Sequence, residues 1–351
     1  MAILPAQQIG DIERRLTMLE RKRPFRTVFC PLMPIGFEYL PDATAADLAA
    51  LNTDRWQVDF RSGLETADLI LVTAHGPNNT ETLWRLREAN PDAVLGLWLW
   101  DNHMAYVANL ANTLAADFYF PTHHYISRYL SNPNSARAGT VPACCAQWDS
   151  ALVRASLAKP TAVRLPRVYA GYVDYEGTPR AAFLQRIRSE VPEVDVRILP
   201  RSDRSRYFSK PHAARLDEWL EYPASLVLPV DHDLSTRLFD GLAAGHVLVV
   251  ADDIADLDQV VTPAEQAALP LLKFRAGDSA DLQRAAQEAL AHFARDGEEG
   301  VRRRQNYALA KHMLAHRVQK MVRTVAAAAT GQLRIRFCNG SDKIPGLELR
   351  P

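Results

Sequence analysis

No sign of charge predominates in this chain: 41 lysines and arginines face 41 aspartates and glutamates over 351 residues. A global field of the kind that draws a protein onto nucleic acid or an anionic membrane is therefore excluded, and any basic patch must be local. Cysteine is scarce. The four residues Cys30, Cys144, Cys145 and Cys338 show no metal-ligand spacing, and no export signal precedes them, so free thiols in a reducing, cytoplasmic compartment are expected. No run approaches the roughly 20 apolar residues of a membrane span, which leaves at most peripheral membrane contact. The Gly-x-Gly-x-x-Gly fingerprint of a dehydrogenase is also missing after the first apolar run, where Cys30-Pro31-Leu32-Met33-Pro34 stands instead.

What the chain does have is length and alternation. At 48% apolar content, 351 residues are too many for one ordinary domain and suit two. A first helix over Ile9–Lys22 precedes strand-like runs at Thr27–Met33, Asp68–Thr73, Val94–Trp100 and Asp117–Phe120. Helical spacing follows at Thr80–Ala89, His103–Ala115 and Tyr125–Leu130, the pattern of a parallel sheet covered on both faces. Thr140–Pro142 reads as one more short strand and Gln147–Leu157 as a helix, before a proline-spaced linker over Ala158–Pro166. A second alternation has strands at Val168–Gly171, Val194–Leu199, Leu226–Val230, Val247–Ala251 and Leu269–Phe274. Leu282–Ala328 is mostly helical, with Tyr307–Val325 amphipathic. The expected division is an N-terminal doubly wound domain over residues 1–160 and a C-terminal one over 161–330, followed by a tail at 331–351.

The most informative stretch runs from Leu226 to Asp253. An apolar strand enters Asp231-His232-Asp233-Leu234, and Ser235 or Thr236 can cap the helix that begins there. The unpaired N–H groups and positive dipole end of that helix face the carboxyl end of the strand, where open α/β sheets bind anionic ligands. Arg237 adds a full charge. Asp240, one turn on, is placed to accept hydrogen bonds from ribose or sugar hydroxyls, and Ala243-Ala244-Gly245 lets the helix end pack closely and turn.

The run Arg237-Leu238-Phe239-Asp240-Gly241-Leu242-Ala243-Ala244-Gly245 resembles the donor-binding segment of GT-B glycosyltransferases, especially the CgeB-like group and the glycosyltransferase family 1/4-like enzymes. Tyr169-Ala170-Gly171-Tyr172 with Arg180 resembles the opening of that family's second domain, and His312-Met313-Leu314-Ala315-His316-Arg317-Val318 resembles a helix near its C-terminus. The resemblance spans roughly Val168 to Val325. It implies two Rossmann-like doubly wound α/β domains facing each other across a cleft, with the C-terminal helix packing back across the domains. It also implies glycan biosynthesis by sugar transfer from a nucleotide-sugar, UDP- or GDP-linked, without a metal and with retention at the anomeric carbon. No cofactor beyond that co-substrate is implied. The donor-binding residues carried over are Gly171, Tyr172, Arg180, His232, Ser235, Thr236, Arg237 and Asp240. Asp240 stands where the family usually has glutamate, and His232 where the family-4 enzymes have another glutamate.

In the first half, Pro34-Ile35-Gly36, His75-Gly76-Pro77-Asn78-Asn79 and Asp101-Asn102-His103 all follow candidate strands and belong at one sheet edge. Asp101 and His103 are the candidate base or polar anchor for an acceptor hydroxyl, while turn formation and helix capping explain the same residues equally well. Arg237 can alternatively pair with Asp231, Asp233 or Asp240 on the surface. Asp231-His232-Asp233 also reads as an Asp-x-Asp metal motif of GT-A enzymes, but no metal is assigned, because the helix that follows suits a metal-free phosphate site. Arg180 or Lys210 are possible additional cations, Arg201, Arg204 and Arg206 make a basic loop, and His123-His124 reads as a helix-start pair with one ring buried. The acceptor is a glycan, metabolite or protein. A non-catalytic GT-B-shaped binding or assembly protein, and another sugar-nucleotide enzyme of that shape, remain open alternatives.

Overall fold

The computed structural model describes residues 5–31, 44–74, 79–100, 106–125, 133–145, 147–157, 164–338 and 346–351. They fold as two compact units: the described residues up to Pro142 together with Ala315–Pro351, and Ala143–Leu314.

The first unit opens with α1 (Pro5–Glu20), β1 (Phe25–Pro31), α2 (Thr44–Ala49), β2 (Trp56–Phe60) and β3 (Leu69–Ala74). It continues with α3 (Thr80–Ala89), β4 (Val94–Leu99), α4 (Tyr106–Thr113), β5 (Phe118–Pro121) and the short β6 (Ala136–Arg137). These strands pair in parallel in the order β2-β1-β3-β4-β5-β6. All six residues of β4 are buried, as a central parallel strand with both faces covered requires. Asp117, 1% exposed at the entry to β5, ties α1 and α3 to the sheet. Its carboxylate accepts from Arg15 Nη2 at 2.6 Å, Arg87 Nη2 at 2.6 Å and the Leu95 amide at 2.8 Å.

The second unit comprises α5 (Ser150–Leu157), β7 (Val168–Val173), α6 (Pro179–Glu190), β8 (Val194–Leu199), α7 (Arg204–Phe208) and α8 (His212–Leu220). Then come β9 (Ala224–Val227), α9 (Thr236–Ala243), β10 (Val247–Ala251), α10 (Leu257–Val260), α11 (Pro263–Ala268), β11 (Leu271–Phe274) and α12 (Ser279–Lys311). Its sheet is wholly parallel in the order β11-β10-β9-β7-β8, so the winding direction reverses between β7 and β9. The crevice at the carboxyl ends of those two strands is where such sheets hold ligands.

The chain then returns to the first unit through α13 (Leu314–Ala329), β12 (Arg334–Phe337) and β13 (Leu347–Arg350), the last pairing with β6. Arg317 Nε donates to the Pro142 carbonyl at 2.9 Å and Lys320 Nζ to the Thr140 carbonyl at 2.7 Å. The boundary thus lies at Pro142/Ala143 rather than after residue 160, because α5 packs on α12, and residues 331–351 supply two strands rather than a bare tail. Thr140–Pro142 is not a strand; the strand at that edge is β6, a few residues earlier. Tyr307–Val325 is not one helix either. His312 leaves the helical region at φ −126°, its carbonyl accepts from the Cys145 amide at 2.9 Å, and its ring lies 5.0 Å from Phe239. No helix among the described residues is long and apolar enough to cross a membrane.

Candidate functional site: an arginine pair beside the start of α9

The unit β9–α9–β10 is built for close approach. A Cβ on Gly241 would lie 2.6 Å from both Leu248 Cδ2 and Ser225 Oγ, so any larger residue there forces those side chains or α9 itself to shift. Gly245 ends the helix at φ +73°, the left-handed conformation that glycine adopts without penalty. At the other end, Ser235 is the N-cap at φ −69°, ψ 150°, and its hydroxyl accepts from the Arg237 amide at 3.3 Å. Thr236 is the first helical residue. The preceding loop is braced by Asp233, whose carboxylate accepts from the Val230 amide at 2.5 Å and the Asp231 amide at 3.4 Å. His232 takes a left-handed φ of +59°, and its exposed ring turns to the loop after β10, where Nδ1 donates to the Asp253 carbonyl at 3.0 Å.

Tyr172, at the carboxyl end of β7, bridges the switch point. Its hydroxyl donates to the Leu226 carbonyl at 2.7 Å and accepts from the Leu228 amide at 2.8 Å, fixing the end of β9 to β7. The ring carries two cations: Arg237 Cζ lies 4.1 Å from its centroid and Arg180 Cζ 5.1 Å. Arg180 also lies 4.9 Å from the Tyr175 ring, which has Arg201 at 5.9 Å. Among the described residues neither Arg180 nor Arg237 makes an ion pair with a carboxylate, so the alternative surface pairing of Arg237 with Asp231, Asp233 or Asp240 is not what forms. Burial pushes the pKa of Arg180 down, and the neighbouring charge on Arg237 acts in the same direction. Contact with an aromatic face offsets part of the desolvation of such cations but neutralises nothing. Two adjacent guanidiniums and the positive end of α9 thus gather at the carboxyl ends of β7 and β9, where the Asp233 carboxylate acts on Arg180 without forming an ion pair with it.

The other candidates are placed differently. Asp240 is 1% exposed, and Gln147 Nε2 donates to its carboxylate at 2.9 Å while Gln147 Oε1 accepts from the Tyr207 hydroxyl at 3.2 Å. Gly171 lacks a Cβ for a local reason: one would fall on the phenol of Tyr169, two residues back on the same face. Lys210 pairs with Glu218 at 3.0 Å and stands over the Tyr207 ring, which removes it from the set of uncommitted cations. Gln147, Tyr175 and Tyr207 went unread in the sequence. Gln147 lies 93 positions from its partner Asp240, and no local pattern links the two.

In the first unit, Asp101 and His103 lie outside the described residues, as do His75-Gly76-Pro77-Asn78 and Pro34-Ile35-Gly36. Asn79 precedes α3 without capping it through its side chain. His123 is 3% exposed and stacks on Tyr125 at 5.3 Å, the buried ring expected of the His123-His124 pair. Among the described residues no three His, Cys, Asp or Glu side chains group so as to hold a metal ion.

No protein-family model matches the sequence, and no curated protein matches it. Several solved structures are similar in fold, among them three with TM-scores above one half. Sucrose-phosphate synthase from Thermosynechococcus elongatus superposes with a TM-score of 0.54 at 14% identity, covering 87% of this chain and 100% of that one. The N-terminal domain of trehalose-6-phosphate phosphatase from Candida albicans gives 0.52 at 8% identity, covering 86% and 96%. A mutant O-GlcNAc transferase from Thermobaculum terrenum gives 0.51 at 13% identity, covering 88% and 69%. At these identities the likeness is one of architecture: an α/β chain with two parallel sheets, the fold of GT-B glycosyltransferases.

Proposed function

We propose that this protein is a glycosyltransferase that moves a sugar from a nucleotide-sugar donor to a hydroxyl of a glycan, metabolite or protein acceptor. The observation that carries the reading is the pair Arg180 and Arg237, laid on Tyr172 beside the start of α9 and, among the described residues, in no ion pair with a carboxylate. Cations placed there bind a diphosphate and stabilise the charge that develops on it as the glycosidic bond breaks. Ser235 and Thr236 add the first N–H groups of the helix, Gly171 and Tyr172 form the adjoining wall, and Arg237 has the catalytic role of holding the leaving diphosphate. His232 sits beyond the helix start, facing the Asp253 loop. Asp240, through Gln147, is a positioning residue rather than a direct ligand of ribose. Asp101 and His103 are the acceptor-side candidates. The cationic pair supplies charge for the two phosphates of a nucleoside-diphosphate sugar without a metal; a UDP- or GDP-linked donor and retention at the anomeric carbon are carried over from the resemblance of the α9 run to GT-B donor sites. We place the reaction in the cytoplasm, where the four cysteines stay reduced.

The test is a thermal-shift screen of the full chain against UDP, GDP, CDP, TDP and ADP, with and without manganese. A ligand at about 100 times its dissociation constant stabilises the fold by about 2.7 kcal/mol. A metal-independent shift with one diphosphate that disappears in Arg237→Ala, together with turnover of the matching sugar donor, is the expected result. Nucleotide binding with no turnover of any donor would make the protein a binding module of the same fold. Absence of any shift would remove the diphosphate site altogether.

A further inference from the structure

The amino ends of the second unit's strands hold another cationic cluster, on the opposite edge of the sheet from Arg237. Arg164 precedes β7, His246 precedes β10, and Arg304 stands on α12 after the break at Gly297, where φ is 53° and ψ −144°. The three side chains bond two neighbouring stretches of backbone, the end of α8 and the peptide before β10, which the Val247 amide ties together by donating to the Pro223 carbonyl at 3.1 Å. His246 Nε2 donates to the Trp219 carbonyl at 2.8 Å and Arg164 Nη1 to the Tyr222 carbonyl at 2.7 Å, one turn apart. Arg304 Nε donates at 2.9 Å to the Gly245 carbonyl, part of the peptide group that His246 completes. The rings of Trp219, stacked on His246 at 5.6 Å, and Phe293, 5.0 Å from Arg164 Cζ, wall the cluster.

Each of the three leaves one buried nitrogen without a hydrogen-bond partner: Arg164 Nε, Arg304 Nη2 and His246 Nδ1. Arg304 and His246 are wholly buried. A single carboxylate, Asp296, serves both Arg303 at 2.6 Å and Arg304 at 3.3 Å, and no carboxylate among the described residues is within ion-pair distance of Arg164. Burial, reinforced by the charge on Arg304, lowers the pKa of Arg164 to about 10, and burial lowers that of Arg304 to about 10 against the pull of Asp296. Burial and then the two arginines push His246 well below its usual range.

We propose that Arg164 and Arg304, closed on one side by His246, form an internal binding site for a small monovalent anion of the halide class. Guanidinium groups do not deprotonate in proteins, so their charge must be answered by something other than proton loss. A water molecule satisfies the two orphaned N–H groups but leaves the repulsion between the guanidiniums in place; an anion satisfies both. A monovalent ion is selected because the dehydration required to reach a fully buried Arg304 rises steeply with ionic charge. His246, whose Nε2 is held by the Trp219 carbonyl, bounds the site as a neutral ring, because burial first and the two arginines second push its pKa down.

The experiment uses the full chain and bromide as probe. Anomalous diffraction from crystals grown in sodium bromide is expected to place a bromide between Arg164 Nε and Arg304 Nη2. A chloride titration of the melting temperature against gluconate at constant ionic strength is expected to saturate. Arg164→Gln, a change at the partly exposed edge of the cluster, is expected to weaken the apparent chloride affinity by about tenfold, the worth of one hydrogen bond to a charged group. Bromide found only beside Arg180 and Arg237, or nowhere in the second unit, would overturn the assignment, as would equal chloride dependence in wild type and Arg164→Gln. None of these outcomes bears on the diphosphate reading, which rests on different residues.

Discussion

Each unit contains two partly or wholly buried arginines gathered around one side chain, and the two clusters differ in what stands at the centre. In the first unit the centre is Asp117, whose carboxylate takes hydrogen bonds from Arg15, Arg87 and the Leu95 amide. In the second it is the neutral ring of Tyr172, with Arg180 and Arg237 over it. A carboxylate between two guanidiniums consumes their charge and ties α1 and α3 to the sheet. A ring holds its cations in place and leaves their charge unspent. Like ingredients thus make a structural joint in the first unit and, on the proposed reading, an anion receptor in the second, and an ion-paired acid at the centre is what distinguishes them.

The largest effect expected from this contrast is on stability. Asp117→Asn leaves two guanidiniums around a group that no longer carries charge, and breaking a buried ion pair by removing one partner costs about 3–5 kcal/mol. Denaturant unfolding of the variant measures the loss. Nucleoside diphosphate affinity of the variant that remains folded is expected to match wild type, because the Tyr172 cluster does not involve Asp117. Arg237→Ala is the mirror case. It removes no ion pair, so melting in the absence of ligand stays near wild type, while transfer falls tens to hundreds of fold, corresponding to about 2–4 kcal/mol for one electrostatic contact. Wild-type kcat/KM in a folded Arg237→Ala protein would break the comparison, since the ring would then hold cations of no consequence.

A third prediction concerns how the second cluster is aimed. Gly241→Ala introduces a Cβ that collides with Leu248 and Ser225, so α9 must lift from the sheet or the neighbours must shift, at about 1–3 kcal/mol. Lifting α9 moves Arg237 away from Tyr172. Weaker diphosphate binding in a folded Gly241→Ala protein, larger than the change in melting explains, is the expected signature; unchanged binding would detach the helix position from the site.

The sequence made α9 and its surroundings legible because their determinants are local. A capping Ser235, a glycine at the helix end and apolar strands on either side are spaced by the helix and strand periods themselves, and the structure realises them as Ser235 at the N-cap and Gly245 at positive φ. The parallel α/β character of both halves was equally plain, since β4, β9 and β10 are uninterrupted buried runs. What escaped was everything decided at a distance. The β2 strand is short and only partly buried, β13 pairs with a strand more than 200 positions earlier, and the unit boundary depends on α5 packing against α12. The fate of Asp240 was illegible for the same reason, as the residue that takes its carboxylate, Gln147, comes from a far part of the chain. Arg180 is legible in the sequence as a cation, but its shared ring with Arg237 follows from the β7–β9 adjacency, which only the sheet order supplies.

The smallest predicted effect separates charge closure from burial. Lys311, at the end of α12, pairs with Glu265 on α11, and Glu265 also closes a capping box with Thr262. This pair is closed like Asp117 but partly exposed, with Glu265 at 23% and Lys311 at 53% side-chain exposure. The bond from Lys311 is the leading cause that brings the Glu265 carboxyl from 4.5 down to about 2. A carboxyl whose folded pKa lies below its unfolded value contributes stability that is complete above the unfolded value and is lost as pH falls through the folded one. The contribution of Glu265 is therefore present above about pH 5 and vanishes progressively toward about pH 2. Lys311→Met is expected to lower stability at pH 7 by less than about 1 kcal/mol, the range of solvent-screened pairs, and the gap to wild type should close on acidification and shrink in high salt. Melting curves of both proteins between pH 7 and pH 2.5 measure this. A gap as large as that of Asp117→Asn would mean that closure alone sets the strength of an ion pair; a gap that does not narrow with acid would mean that Lys311 acts through packing of its methylene stem instead of its charge.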